Sequence, residues 1–456
     1  MQTPGADPFS RERLAALQRD EAARFCRLHP RSLQLALESA PHYLFGLPMH
    51  WMRDWPTPSP LYVQRAQGAR LECVDGLAYA DFCLGDTGAM FGHSPPAVAR
   101  ALAAQAQQGL TAMLPSALVP ELGRLLAARF GLPRWQLALS ASDANRFVLR
   151  WARAITGRRR VLVFDGCYHG TVDDTLADRA EDGRTLTRAS LLGQVHDLAE
   201  TTLVVPFNDP DAVRRALAAG DVACVLTEPA LTNCGLVPPQ PGFLEALRQA
   251  CDAHGTLLVM DETHTLSTGP GGYCRVHGLD ADFLVVGKAV AGGLPCAVYG
   301  FTDAVAARME AARRAAPEGH SGIGTTLSAP LLGVAALHAT LAELMTPETH
   351  AAMERGARAL EAGLQGLIAG FALPWSVARL GARMELQFCD RPPADAAQAR
   401  AAMDAGLERA LHLWLLNRGV LLTPFHNMML VSPLTGDEEI GRLLQGLRDF
   451  LGELLA

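Results

Sequence analysis

From about residue 120 the chain alternates short runs in which nearly every position is apolar with longer stretches of helical spacing. "QLALS" (136–140) precedes "NRFVLRWARAITG". "VLVFDG" (161–166), "VACVLTEP" (222–229), "TLLVMDE" (256–262), "FLVVGK" (283–288) and "AVYGF" (297–301) follow. Between the third and fourth of these six strands lies the helix "GFLEALRQACDAHG", which Gly255 closes as a C-cap. Strands that are apolar at every position are buried on both faces, and the helices between them are the crossovers that parallel pairing requires. The pattern predicts an α/β fold with a mostly parallel sheet sandwiched by helices.

Beyond Pro330 the texture changes. Helices over roughly 331–345, 347–369 and 396–418 flank the strands "ARMELQF" and "NMMLVSP", and the chain closes on "TGDEEIGRLLQGLRDFLGELLA". This reads as a smaller α+β domain to which the N-terminal part contributes. The expected division is 1–75 in the small domain, 76–330 as the large domain and 331–456 as the C-terminal small domain. The opening "MQTPGADPFSRERLAALQRDEAARF" reads as a charged amphipathic helix, whose acidic residues argue against a signal or transit peptide.

A chain of 456 residues, 49% hydrophobic and 19% charged, can bury a sizeable core and is no disordered segment. Its net charge of −7 gives no reason to expect nucleic acid as a partner, and the short "GRRR" at 157–160 reads as a solvated helix end. The apolar runs are strand-length and broken by charge, so no membrane span is expected. The 10 cysteines stand singly, without a CxxC pair or zinc-like Cys/His spacing. They read as reduced thiols of a cytoplasmic protein that binds no metal.

In an open parallel sheet, ligands bind beyond the carboxyl ends of the strands, and the unusual polar residues fall there. "ALSASDAN" can place the Ala141 and Ser142 amides and the Ser142 hydroxyl against a phosphate at the positive end of a helix; an ordinary N-cap has the same appearance. "FDGCYHG" presents Tyr168 and His169 in a glycine-bracketed loop, where an aromatic ring can stack on a flat ligand or pack on the sheet. "LLVMDETHT" sets Asp261 and Glu262 after apolar residues, where a carboxylate needs a cation or several donors. Lys288 ends another apolar strand, and a buried lysine readily shifts or loses its charge in a Schiff base. A phosphate clamp, a stacking ring, an acid for a ring nitrogen and an amine for an aldehyde together describe the needs of pyridoxal phosphate.

At these residues the chain resembles the class III, fold-type I pyridoxal-phosphate aminotransferases, in the branch that contains glutamate-1-semialdehyde aminomutase. The likeness runs from about residue 60 to the C-terminus. It includes "VDGLAYADF", "GHSPPAV", "SASDAN...LRWARAITGR", "FDGCYHG", "EPALTNCGLVPPQPGFLEALR", "DETHT", "GKAVAGGLP" and "GTTLSAP" in the family's order. The resemblance implies a seven-stranded, mostly parallel sheet, and that Lys288 carries the cofactor and Asp261 pairs with its pyridinium. It places Tyr168 on the ring, Ala141 and Ser142 on the phosphate, and Glu228 and Asn233 near the phenolic side. Thr325 would reach the phosphate of a partner subunit, which makes the enzyme a homodimer with shared sites. The chain departs from the family at Ala141, Asp143, Thr263, His264 and "SAP". Thr263 stands where a valine commonly packs on the ring, and His264 has no counterpart role.

The activity this implies is ping-pong transfer of an amino group from an amino acid or amine to a 2-oxo acid, with Lys288 as the general base. The segment "GVLLTPFHNMMLVSP" contains His426 and Asn427 where many relatives carry a carboxylate-binding arginine. "LPMHWMRDWP" offers Arg53 and Trp51 as a substrate wall, or as an aromatic turn packed on the small domain. With His169 and His426 these are the substrate candidates, and a β- or ω-amino acid or a related amine is the expected donor. An intramolecular aminomutase and a racemase or epimerase are the rival reactions.

Overall fold

The computed structural model describes residues 9–456; the first eight residues of the expected N-terminal helix lie outside that range, and its described part runs over Arg11–Leu28. The centre of the molecule is a seven-stranded sheet. In chain order its strands are β1 (Arg134–Ala138), β2 (Arg160–Phe164), β3 (Thr202–Val205), β4 (Val222–Thr227), β5 (Leu257–Asp261), β6 (Phe283–Val286) and β7 (Ala297–Phe301). Across the sheet they lie in the order β1-β7-β6-β5-β4-β2-β3. Only β7 runs antiparallel to its neighbours.

Every residue of β4 to β7 is buried, as the unbroken apolar runs require. The edge strand β1 alternates exposed and half-buried positions, with charged Arg134 at its start. The other edge strand, β3, was not among the strands read from the sequence. Helices Ala141–Thr156, Pro210–Leu217 and Phe243–His254 supply crossovers, and Gly255 closes the last with a left-handed φ of 59°.

A second apolar cluster joins both ends of the chain. Phe9, Leu14 and Phe82 meet Leu360, Leu411, Trp414, Leu447 and Phe450 there. The short strand Val420–Leu421 runs parallel to Ala78–Asp81, so the C-terminal part extends an N-terminal sheet. A separate three-stranded sheet contains Ser376–Leu380, Arg383–Gln387 and Met428–Leu430. Two helix expectations change in detail. The span 331–345 is the helix Leu331–Ala339 followed by a wider turn over Thr340–Leu344, and it packs into the large core. The span 396–418 is two helices, because Asp404 stops one and caps the next by accepting from Leu407 N at 2.9 Å.

Candidate active site

The ends of β1, β2, β4, β5 and β6 converge on one cavity of about 360 Å³. Ala141, Ser142, Tyr168, His169, Glu228, Asp261, Thr263, His264 and Lys288 all line it. The helix that begins at Ala141 is capped by Ser140, whose Oγ accepts from Asp143 N at 3.2 Å. Ala141 and Ser142 are thus the first two helical residues, whose N–H groups have no acceptor within the helix and lie at its positive end. Glycines permit the approach of the surrounding loops: a Cβ on Gly287 would lie 2.8 Å from Ala141 Cβ, and one on Gly170 only 2.0 Å from Ser142 Oγ.

Asp261 is the best-held carboxylate of the cavity. Its Oδ2 accepts from Asn145 Nδ2 at 2.8 Å and faces His169 Nδ1 at 3.0 Å, and its Oδ1 accepts from Thr263 N at 3.1 Å. Burial alone would raise its pKa, but His169, Thr263 and Asn145 outweigh burial and bring it down to about 2. Burial likewise opposes charge on His169, while Cys167 and Asp261 beside it raise the imidazole to about 10. His169, a substrate candidate in the sequence, therefore spends Nδ1 on the carboxylate. Glu228 behaves in the opposite way. Burial, only partly offset by His169 and by a hydrogen bond from the Thr232 hydroxyl, raises it to about 7. Among the described residues its Oε1 has no partner. Asn233 stands behind it and donates to Thr232 Oγ1 at 3.2 Å. Glu262 points away from the cavity and accepts from the Tyr273 and Cys274 N–H groups at 2.8 and 2.6 Å.

Lys288 follows β6 with a left-handed φ of 48°, a strained conformation for a side chain of this kind. Its Nζ donates to Asp86 Oδ2 at 2.6 Å and lies 2.8 Å from His264 Nε2. Burial favours the neutral Asp86 carboxyl, yet Lys288, His264 and Arg383 outweigh it and hold that group well below the ordinary carboxylate range. For His264, burial first and then Lys288 and Arg383 push the imidazole far below its usual value. Asp86, Thr87, Asn145 and Arg383 were all missed in the sequence reading. The signal for the first two was present: in "FCLGDTGAM" an acid and a hydroxyl stand between two glycines inside an apolar run. The lysine that the sequence reading did single out is marked by number as well. Lys288 is the only lysine among the 40 Lys and Arg residues of the chain.

Other candidates do not line this cavity. Thr325 lines a separate cavity with His320 and Ser328. Arg53 lines another, and Trp51 sits on the same turn, His50–Arg53. His426 faces Glu385 at 2.8 Å. Arg418 is held by Glu21 at 2.9 Å and stacks on Trp414.

The donor set fits a flat, phosphorylated heterocycle: a helix start for phosphate, an ionised acid opposite a ring nitrogen, an amine, and an orphaned buried oxygen on Glu228. The comparisons agree with that geometry. The family model for class-III aminotransferases matches residues 52–451. Glutamate-1-semialdehyde 2,1-aminomutase 2 of Exiguobacterium sibiricum is 34% identical over 386 residues, 83% of this chain and 87% of that protein. The crystal structure of a glutamate-1-semialdehyde aminomutase from Pseudomonas aeruginosa superposes with a TM-score of 0.96 at 48% identity, covering 98% of this chain and 100% of that one. A β-phenylalanine aminotransferase from Variovorax paradoxus gives 0.85 at 29% identity, covering 96% and 97%. The chain belongs to the class-III aminotransferase family and has its fold-type I architecture.

Proposed function

We propose that this protein is an amino-group transferase that moves nitrogen from an amino acid or amine to a 2-oxo acid in two half-reactions, with a β- or ω-amino acid as donor. Its cofactor is pyridoxal phosphate. The Pseudomonas aeruginosa relative has also been crystallised with PMP. The observation that carries the reading is the single lysine. A chain that uses arginine at every other basic position keeps an amine at the one strand end facing Asp261 and the Ser142 helix start. Guanidinium matches lysine's charge but does not serve as a Schiff-base amine or a general base.

When bound, pyridoxal phosphate supplies an aldehyde that captures amines and a ring that draws electrons from the neighbouring carbon. Ala141 and Ser142 would hold the phosphate through the helix start, and Tyr168 would lie against the ring. Asp261, kept ionised by His169 and Asn145, would hold a proton on the ring nitrogen. Glu228, shifted toward neutrality, can donate to an oxyanion on the phenolic side. Lys288 Nζ would take the proton from the donor's amine-bearing carbon and hand it to the carbon that carried the aldehyde, and in the second half-reaction move a proton the opposite way, onto the carbon of the acceptor.

The reading includes a homodimer. Thr325 lies away from its own Lys288, and Leu110, Met113, Leu114 and Leu327 near that second cavity are exposed apolar residues of the sort a subunit interface covers. Intramolecular transfer is the second reading, favoured by the two aminomutase relatives. Cofactor-loaded enzyme mixed with amine donors, then with pyruvate or 2-oxoglutarate, separates them. Amino transfer to the added acid supports the first reading; isomerisation of glutamate 1-semialdehyde without an acceptor supports the second.

A further inference from the structure

Arg383 is fully buried, and among the described residues its Nε and Nη1 have no hydrogen-bond partner. A guanidinium placed this way costs stability and contributes little packing in return. Its one engaged nitrogen, Nη2, donates to the Thr87 hydroxyl and lies 2.8 Å from His264 Nδ1. Thr87 Oγ1 is also 2.9 Å from that Nδ1. Arginine has no acceptor, so Nδ1 must present its lone pair to the guanidinium; the other tautomer would press two N–H groups together. A neutral imidazole with a bare Nδ1 carries its hydrogen on Nε2, the atom 2.8 Å from Lys288 Nζ. The lysine nitrogen is therefore offered a hydrogen bond that only a lone pair accepts, while Asp86 accepts one of its N–H groups at 2.6 Å.

We propose that His264, fixed in one tautomer by Arg383 and Thr87, is a positioning residue for Lys288. Against the pull of Asp86, whose ionised carboxylate favours the cation, it keeps a hydrogen-bond donor on the lysine nitrogen when that nitrogen is not attached to the cofactor. The groups that face this corner come from every element around it: Asp86, Tyr168, Glu228 and Asp261 in the cavity, Arg383 from the small sheet, and Glu385 with His426 behind Arg383. His264, the departure from the family pattern that had no role in the sequence, and Arg383 are thus parts of one device.

The inference rests on the amino-transfer reading, and the test separates the two. Because Lys288 is the only lysine, cyanate can label no side-chain amine but this one, apart from the N-terminus. In enzyme converted to its pyridoxamine phosphate form, the labelling rate of Lys288 is followed against pH by peptide mass. His264→Leu is expected to move the profile to higher pH and slow labelling at pH 7 about three- to tenfold, the worth of one hydrogen bond. His264→Gln, which keeps a donor, is expected to restore most of the rate, and Arg383→Met to shift the profile in the same direction as His264→Leu. Should His264→Leu not fold, Thr87→Val is expected to give a smaller shift of the same sign. Folded variants with an unchanged or more acidic profile overturn the proposal while leaving cofactor attachment, and so the amino-transfer reading, intact. Wild-type protein that never takes up the cofactor overturns that reading instead.

Discussion

Along one wall of the cavity, Tyr168, Glu228, Asp261 and Lys288 stand just beyond β2, β4, β5 and β6, strands whose registers are locked by neighbours on both sides. Along the other, Asp86 and Thr87 come from a loop in which Leu84, Gly85, Asp86 and Thr87 all have positive φ, and Arg383 comes from a strand of the smaller sheet. The first wall cannot change without disturbing the core. The second is built on a loop of unusual backbone conformation and reaches the same lysine through Asp86.

The predictions test that division, starting on the first wall. Lys288→Ala is expected to abolish covalent cofactor attachment and lower turnover by at least about 10²–10⁴-fold, the range of a lost general base, in single-turnover assays. Asp261→Asn is expected to retain cofactor, because the phosphate clamp is untouched, and to slow turnover by roughly 10²-fold or more; stopped-flow absorbance reads both. The wild-type Asp261–His169 pair also has a pH signature. Its contribution from Asp261 is present above 3.8 and lost as pH falls toward about 2. Its contribution from His169 is full below 6.5 and lost as pH rises toward about 10. Thermal unfolding across pH 6.5–10 is expected to show a decline that His169→Asn flattens.

On the second wall, Glu385 is fully buried and holds His426 at 2.8 Å and Leu236 N at 2.6 Å. Removing it in Glu385→Ala is expected to cost about 3–5 kcal/mol, the usual effect of stranding one member of a buried pair, measured by denaturant unfolding. Burial opposes charge on His426, but Glu385 outweighs it and raises the imidazole, so the pair's stabilisation is full below 6.5 and fades as pH climbs through the raised value. The smallest expected effect is Glu228→Gln. With Glu228 at about 7, the amide mimics the neutral acid, so turnover below pH 7 is expected to stay within about threefold of wild type and to diverge above it.

The same division explains what the sequence made legible. β4 to β6 could be read because each carries four or more apolar residues in a row and breaks into polar ones within two positions, so Glu228, Asp261 and Lys288 stand out by local contrast. Thr202–Val205 escaped because it is a short edge strand with a hydroxyl at its start and no chemistry at its end. Arg383 was hidden for another reason. Within "ARMELQF" it looks like an exposed position of an alternating strand, and only the packing of the small sheet against the Asp86 loop reveals that it is buried beside His264. His264 was visible as an oddity, but its role depends on Thr87, 177 positions earlier, and Arg383, 119 later. Contacts at those separations leave no periodic trace in sequence. Of the other candidates, His169 reached the cavity, while Arg53, Trp51 and Thr325 lie on surface turns outside it, and nothing local in their sequence ties them to Lys288.

The central claim is that the one lysine of this chain carries the cofactor opposite Asp261. Borohydride reduction of the yellow holoenzyme, followed by peptide mass mapping, tests it most directly. The account expects a single phosphopyridoxyl adduct on Lys288, lost when an amine donor is added before the reductant. An adduct at the N-terminus alone, or a protein that stays colourless with excess pyridoxal phosphate, would contradict it.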